Sequence, residues 1–125
     1  MEGIDSPIFF FDTYAFFEII RGNSKYLPYK GAAAITTIFN LAELNYGLKR
    51  EVDEKTADEI TQEYEPFLIE VTLSDVKKAM TLRRRYRELS IPDAIGYVVA
   101  MRCNCKFLTG DNDFKNLPNV EFVKK

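Results

Sequence analysis

The chain has 125 residues, of which 46% are hydrophobic and 29% charged, with a formal net charge of −2 and no histidine. That composition is globular rather than disordered, and the length suits a single domain, residues 1–125, with a real core. Without histidine, imidazole general-base chemistry and most zinc sites are excluded, and the remaining oxygen ligands favour magnesium or manganese.

The elements alternate. "PIFFF", residues 7–11, is a compact apolar run ending at an acid and reads as a buried strand. A short helix follows over 13–21, stopped by Gly22 and Asn23. "AAAITT", 32–37, is a second short strand, and a helix over 38–50 places Leu41, Leu44 and Leu48 on one face. The acidic stretch "EVDEKTADEITQEYE" is helical, with Ile60 and Tyr64 inward and Pro66 closing it. "FLIEV", 67–71, is expected as a third strand, and Ser74 as the cap of a basic helix carrying Val76, Ala79, Met80 and Leu82. Ser90 caps a further helix with Pro92 in its first turn, and "CKFLT" and "VEFV" are the last strands. Strands alternating with helices imply an α/β fold, a mostly parallel sheet covered on both faces. Ligands of such sheets sit beyond the carboxyl ends of the strands.

No apolar run reaches the roughly 18 residues of a membrane span. The opening "MEGIDSPIFFFD" has acids and no basic leader, so a signal peptide is not expected, and no membrane is expected among the partners. Cys103 and Cys105 are too close for easy mutual pairing and have no other partner, which reads as reduced thiols in a cytoplasmic protein. The net charge does not advertise nucleic-acid binding, yet Lys77, Lys78, Arg83, Arg84, Arg85 and Arg87 cluster in eleven residues. They form either a solvated helix face or a local phosphate track.

The acids carry the sharper signal. Most of the 19 Asp and Glu lie among other charges. Asp12, Glu43 and Asp93 are each the lone charge in an apolar segment, and Asp111 and Asp113 are the only charges between Phe107 and Phe114. An unpaired buried carboxylate costs several kcal/mol. Local explanations exist for three of these positions: Asp12 as an N-cap, Asp93 in a capping box with Ser90, and Asp111 in a turn. Glu43, mid-helix between Phe39 and Tyr46, has none, and Arg50 is its only obvious cationic partner on that face. A shared divalent cation compensates all four charges at once.

The blocks "FFFDTYAF", "ITTIFNLAEL", "SIPDAIGYVVA" and "FLTGDNDF" resemble, in order and spacing, the signature blocks of the PIN-domain nucleases, above all the compact VapC-type toxins. The resemblance implies a three-layer α/β/α sandwich around a short, mostly parallel sheet. It also implies a magnesium- or manganese-dependent ribonuclease that hydrolyses RNA through metal-activated water. Asp12, Glu43, Asp93 and Asp111 match the family's metal-binding acids, Asp113 an additional carboxylate, and Thr37 and Ser90 hydroxyl positions near the site. Arg83, Arg84, Arg85 and Arg87 are candidates for RNA contact. A small antitoxin and a second copy of the chain are the implied partners. Tyr14 departs from the family, where Asn or Ser is common two residues after the first acid. Three other readings remain: a PIN nuclease of RNA processing or decay without an antitoxin, a non-catalytic PIN-fold binding module, and a receiver-like domain. The last wants a phosphoacceptor Asp and a late Lys that "FLIEVTLSD" and "FLTGDND" do not supply cleanly.

Overall fold

The computed structural model describes residues 8–125. Strands β1 (Phe9–Phe11), β2 (Ala34–Ile35), β3 (Lys106–Thr109) and β4 (Val120–Phe122) form one sheet in the order β2-β1-β3-β4. Every pairing is parallel. The connections carry five helices: α1 (Thr13–Ile20), α2 (Ile38–Lys49), α3 (Glu54–Gln62), α4 (Leu73–Arg85) and α5 (Ile91–Arg102). Pro7, the expected first residue of the first strand, lies outside the described residues.

Side chains alternate across a strand, and the sheet distributes them accordingly. Phe10 and Phe107 face one layer, where Ala79 of α4 and Ala94, Ile95, Tyr97, Val99 and Ala100 of α5 cover them. Phe9, Phe11 and Leu108 face the other, against Ala15 and Phe16 of α1, the Leu41–Leu44–Leu48 stripe of α2 and Ala57 of α3. Both sheet faces are covered, so the fold is a three-layer α/β/α sandwich. Ile60 and Tyr64 pack against the second layer as expected.

Two local expectations are corrected. "FLIEV" is not a strand: Glu65–Phe67 winds as a 3-10 turn, and only Thr36 and Leu68 form a bridge. Its potential neighbour β2 is two residues long, so there is no ladder for it to extend. Thr72, not Ser74, caps α4; its hydroxyl accepts from Asp75 N at 3.1 Å, and the Asp75 carboxylate accepts from Thr72 N at 2.9 Å. This is the reciprocal pattern that leaves Ser74 nothing to cap.

The strand order reverses around β1, which pairs with β2 on one side and β3 on the other. The carboxyl ends of β1 and β3, where the connections diverge, are the usual ligand position in such sheets. Asp12 follows β1 directly, and its backbone N–H continues the ladder to Leu108 O at 3.1 Å. Asp111 stands two residues beyond β3.

Candidate metal and catalytic site

Asp12 occupies the N-cap position of α1, but its side chain makes no cap hydrogen bond. The carboxylate turns inward instead and is 3% exposed. Its Oδ2 accepts from Thr109 Oγ1 at 2.7 Å and its Oδ1 from Asn40 Nδ2 at 3.5 Å. The capping explanation of this acid therefore fails. Burial, then the negative charge of Asp93, raise its pKa to about 8 against the lowering effect of the Thr109 hydrogen bond, with Glu43 adding a smaller push.

Asp93 sits in the first turn of α5 and does close a capping box: Ser90 N donates to its Oδ2 at 3.1 Å, and Asp93 N donates to Ser90 Oγ at 3.2 Å. Capping and site placement are compatible here, because the capping carboxylate also lies near enough to Glu43 and Asp111 to feel their charge. Burial raises the Asp93 pKa to about 6; the Ser90 hydrogen bonds oppose it, and the charges of Glu43 and Asp111 add to it. Asp12 therefore lies within electrostatic reach of Asp93 and Glu43, and Asp93 within reach of Glu43 and Asp111.

Glu43 projects from α2, half-buried, and accepts from Thr13 Oγ1 at 2.8 Å. Arg50 does not reach it; its guanidinium lies over the Tyr46 ring at 5.6 Å. Asp111 shapes its own turn, accepting from Asp113 N at 2.9 Å, while its backbone N–H donates to Thr109 Oγ1 at 3.1 Å. Thr109 thereby ties the Asp111 turn to the Asp12 carboxylate. Gly110 is required between them, since a Cβ there would strike Val123 O and the Tyr14 ring. Asp113 is exposed, at the edge of the group, and burial with the charges of Asp111 and Glu88 raises its pKa.

The remaining expected residues divide. Thr37 is a buried N-cap whose hydroxyl donates to Asn40 Oδ1 at 2.7 Å, so it touches the site through Asn40. Tyr14 turns its hydroxyl away, accepting from Lys125 N at 3.2 Å. Arg83, Arg84 and Arg85 are exposed at the C-terminus of α4, with Arg87 just beyond. Asp75 of α4 bonds Arg102 of α5, and only residues 86–90 join the two helices, so they run antiparallel. The arginines and Asp93 therefore lie at the same end of that hairpin.

Sequence reasoning missed Thr13, Asn40 and Thr109, all uncharged. Asn40 carried a faint signal, a polar residue at the third helical position in an apolar segment, and it is 1% exposed. Among the described residues, no lysine or arginine pairs with Asp12, Glu43, Asp93 or Asp111. No group of three or more acidic or cysteine side chains among them stands in a geometry that could hold a metal ion. Each carboxylate accepts from a donor of its own: Asp12 from Thr109, Glu43 from Thr13, Asp93 from Ser90 N and Asp111 from Asp113 N. The donor set nevertheless fits a hard divalent ion: the donors are all oxygen, the most buried of them lacks a cationic partner, and neighbouring carboxylates add to the raised pKa values of Asp12 and Asp93.

A parallel α/β/α sandwich with acids beyond the carboxyl ends of β1 and β3 sets the class of fold. The PIN domain family model matches residues 9–120, and the chain belongs to the PIN domain family. The fold is that of solved VapC structures. A toxin–antitoxin complex from Klebsiella pneumoniae superposes at TM-score 0.75 with 20% identity, covering 94% of this chain and 99% of that one. VapC20 of Mycobacterium tuberculosis, described as a sarcin–ricin-loop-cleaving toxin, gives 0.74 with 21% identity, 94% and 99%. VapBC2 from Rickettsia felis, solved on a promoter DNA fragment, gives 0.71 with 18% identity, 94% and 98%. No curated protein matches the sequence.

Proposed function

We propose that this single domain is a magnesium- or manganese-dependent endoribonuclease, the toxin of a toxin–antitoxin pair. The observation that supports the reading is the buried Asp12 carboxylate, which is held by neutral donors, has Asp93 and Glu43 near enough to raise its pKa, and pairs with no cation among the described residues. A scaffold has no use for four mutually repelling carboxylates, which speaks against a non-catalytic module.

Asp12, Asp93 and Asp111 would hold the metal, with Glu43 completing the set and Asp113 supporting Asp111. A bound divalent ion supplies Lewis acidity and a water nucleophile of lowered pKa for phosphodiester hydrolysis. The chain's own part is positional. Thr109 and Asn40 orient Asp12, Thr13 orients Glu43, and the Ser90 box aims Asp93. Arg83, Arg84, Arg85 and Arg87 supply cations for the RNA backbone at the same end of the α4–α5 hairpin. The solved relatives that are toxin–antitoxin complexes support a small antitoxin as partner, and family resemblance supports a homodimer. No helix among the described residues is long and apolar enough to cross a membrane, which is compatible with a cytoplasmic site of action.

The deciding experiment incubates purified chain and its Asp12→Asn variant with structured RNA in chelator, magnesium or manganese. Cleavage that needs the metal and disappears in the variant is the expected result. No cleavage by either protein, in either metal, overturns the assignment. An adjacent reading frame for a small DNA-binding protein that abolishes cleavage separates the toxin from an RNA-processing nuclease.

A further inference from the structure

We infer that Asn40 is a positioning residue that ties Asp12 to Glu43 and holds both carboxylates as hydrogen-bond acceptors, the state in which they can bind a cation; this rests on the metal-dependent reading above. Asn40 is buried, so its amide must find partners within the protein. Thr37 Oγ1 already accepts from Asn40 N at 3.3 Å, leaving its single hydrogen for Asn40 Oδ1 at 2.7 Å. That bond fixes which way the amide faces. Nδ2, with both its hydrogens, then points to Asp12 Oδ1 at 3.5 Å and Thr13 Oγ1 at 3.2 Å. Against the ionised Asp12 carboxylate, the form that holds a cation, a reversed amide would set oxygen to oxygen, so both ends of the side chain then select the same orientation.

Thr13 continues the relay. Having accepted from Asn40, its hydroxyl gives its hydrogen to Glu43 Oε1 at 2.8 Å. The shorter distance favours Glu43 over the Asn40 carbonyl, which lies at 3.4 Å from the same hydroxyl. Every link thus has one polarity, running from the N-cap of α2 to two carboxylates on different elements. Leucine shares asparagine's branching at Cγ, though it is bulkier, and would donate nothing to either acid.

The test compares Asn40→Leu, Thr13→Val and Thr13→Ser with the unmutated chain. Manganese binding to metal-free protein is measured by calorimetry, kcat and KM for RNA are separated, and thermal unfolding is followed in chelator. Asn40→Leu and Thr13→Val should each lose about 10–100-fold in manganese affinity and kcat, with KM for RNA unchanged. Thr13→Ser, which keeps the hydroxyl, should recover most of the loss. Unmutated affinity and kcat in both Asn40→Leu and Thr13→Val overturn the inference, as does a loss that tracks the melting temperature and that Thr13→Ser does not rescue. Should Asn40→Leu fail to fold, the half-exposed Thr13 pair decides alone. A separate readout is independent of the nuclease reading: in chelated protein, the Asn40 side-chain amide resonances should shift in Thr13→Val and in Asp12→Asn. If they stay in place, the relay does not exist, whatever the metal does. If they shift while the unmutated chain binds no manganese, the relay stands but not its purpose, and the inference falls with the metal reading.

Discussion

Asp12 and Asp75 are almost equally buried, at 3% and 2% exposure, yet their chemistry is opposite. Burial pushes both carboxyl groups towards the neutral form. Around Asp75, that push is outweighed by Arg102, whose Nε and Nη2 each donate at 2.9 Å, and by Thr72 N, so its pKa is lowered. Around Asp12, burial is reinforced by Asp93 and Glu43, and hydrogen bonds from neutral donors do not compensate. Burial alone therefore says little about a carboxylate's role. The partner decides it: Asp75 pins α4 to α5, whereas Asp12 is left with charge that a cation could neutralise.

The largest expected effect exploits that difference directly. Asp12→Asn, Asp93→Asn and Asp111→Asn should each lower RNA cleavage by at least ~100-fold, comparable to removing a key electrostatic stabiliser. Asp113→Asn, altering an exposed acid, should lose less. Cleavage rates at saturating metal check this, and full activity in all three buried-site variants would reject the assignment of the site.

Next comes stability. Arg102→Ala converts Asp75 into a second Asp12, a buried carboxylate without a cation. The expected cost is about 2–3 kcal/mol, less than the roughly 3–5 of a fully enclosed pair because the Arg102 side chain is 41% exposed. Asp12→Asn, by contrast, should leave the metal-free protein as stable as before or more so, where ordinary core substitutions destabilise. Denaturant unfolding in chelator measures both. Equal destabilisation by the two variants would erase the contrast.

A pH dependence follows from the same contrast. The Asp12 and Asp93 pKa values are raised from 3.8 to about 8 and about 6, so the folded metal-free protein binds more protons than the unfolded chain in between. Their favourable contribution is fully present below about pH 4 and is lost as pH rises through about 6 and then about 8. Each raised group contributes a slope of at most about 1.4 kcal/mol per pH unit. Asp75 has the opposite sign, losing its contribution as pH falls. Melting temperatures in chelator should fall from pH 5 to about 8, and Asp12→Asn should flatten that decline. A profile that rises with pH over this range and is indifferent to the variant would contradict the site electrostatics.

The smallest expected effect concerns cations. Arg102 is committed to Asp75, whereas Arg83, Arg84, Arg85 and Arg87 have no ion-pair partner among the described residues. Reversing Arg83 and Arg85 should flatten the salt dependence of RNA binding by about 0.7 in log–log slope for each phosphate no longer neutralised. Binding of uncleaved RNA to an Asp12→Asn background measures it. An unchanged slope would make this a solvated face.

Much of this molecule was legible along the chain. The Leu41–Leu44–Leu48 stripe, the Ser90–Asp93 box and the isolation of Asp12 and Glu43 are local patterns, set by helix period, by cap geometry and by the cost of charge among apolar neighbours. Local pattern also misled. "FLIEV" has strand composition, but a strand needs a neighbour, and only Thr36, just past β2, bridges it. Thr72 and Ser74 could both cap; Asp75, three residues after Thr72, settled the choice through a reciprocal hydrogen bond.

What no local pattern could supply is pairing across distance. Asp75 stands among Lys77 and Lys78 in the sequence and looks like one more solvated charge, until the fold buries it against Arg102, 27 residues away. Asp12 meets Thr109 across 97 residues and Asn40 across 28. The sequence by itself marked Asp12, Glu43 and Asp93 as costly acids, because that cost follows from their immediate apolar neighbours. Only the tertiary structure decided which buried acid received a cation and which received neutral donors, because those partners arrive from other elements when the sheet and helices pack.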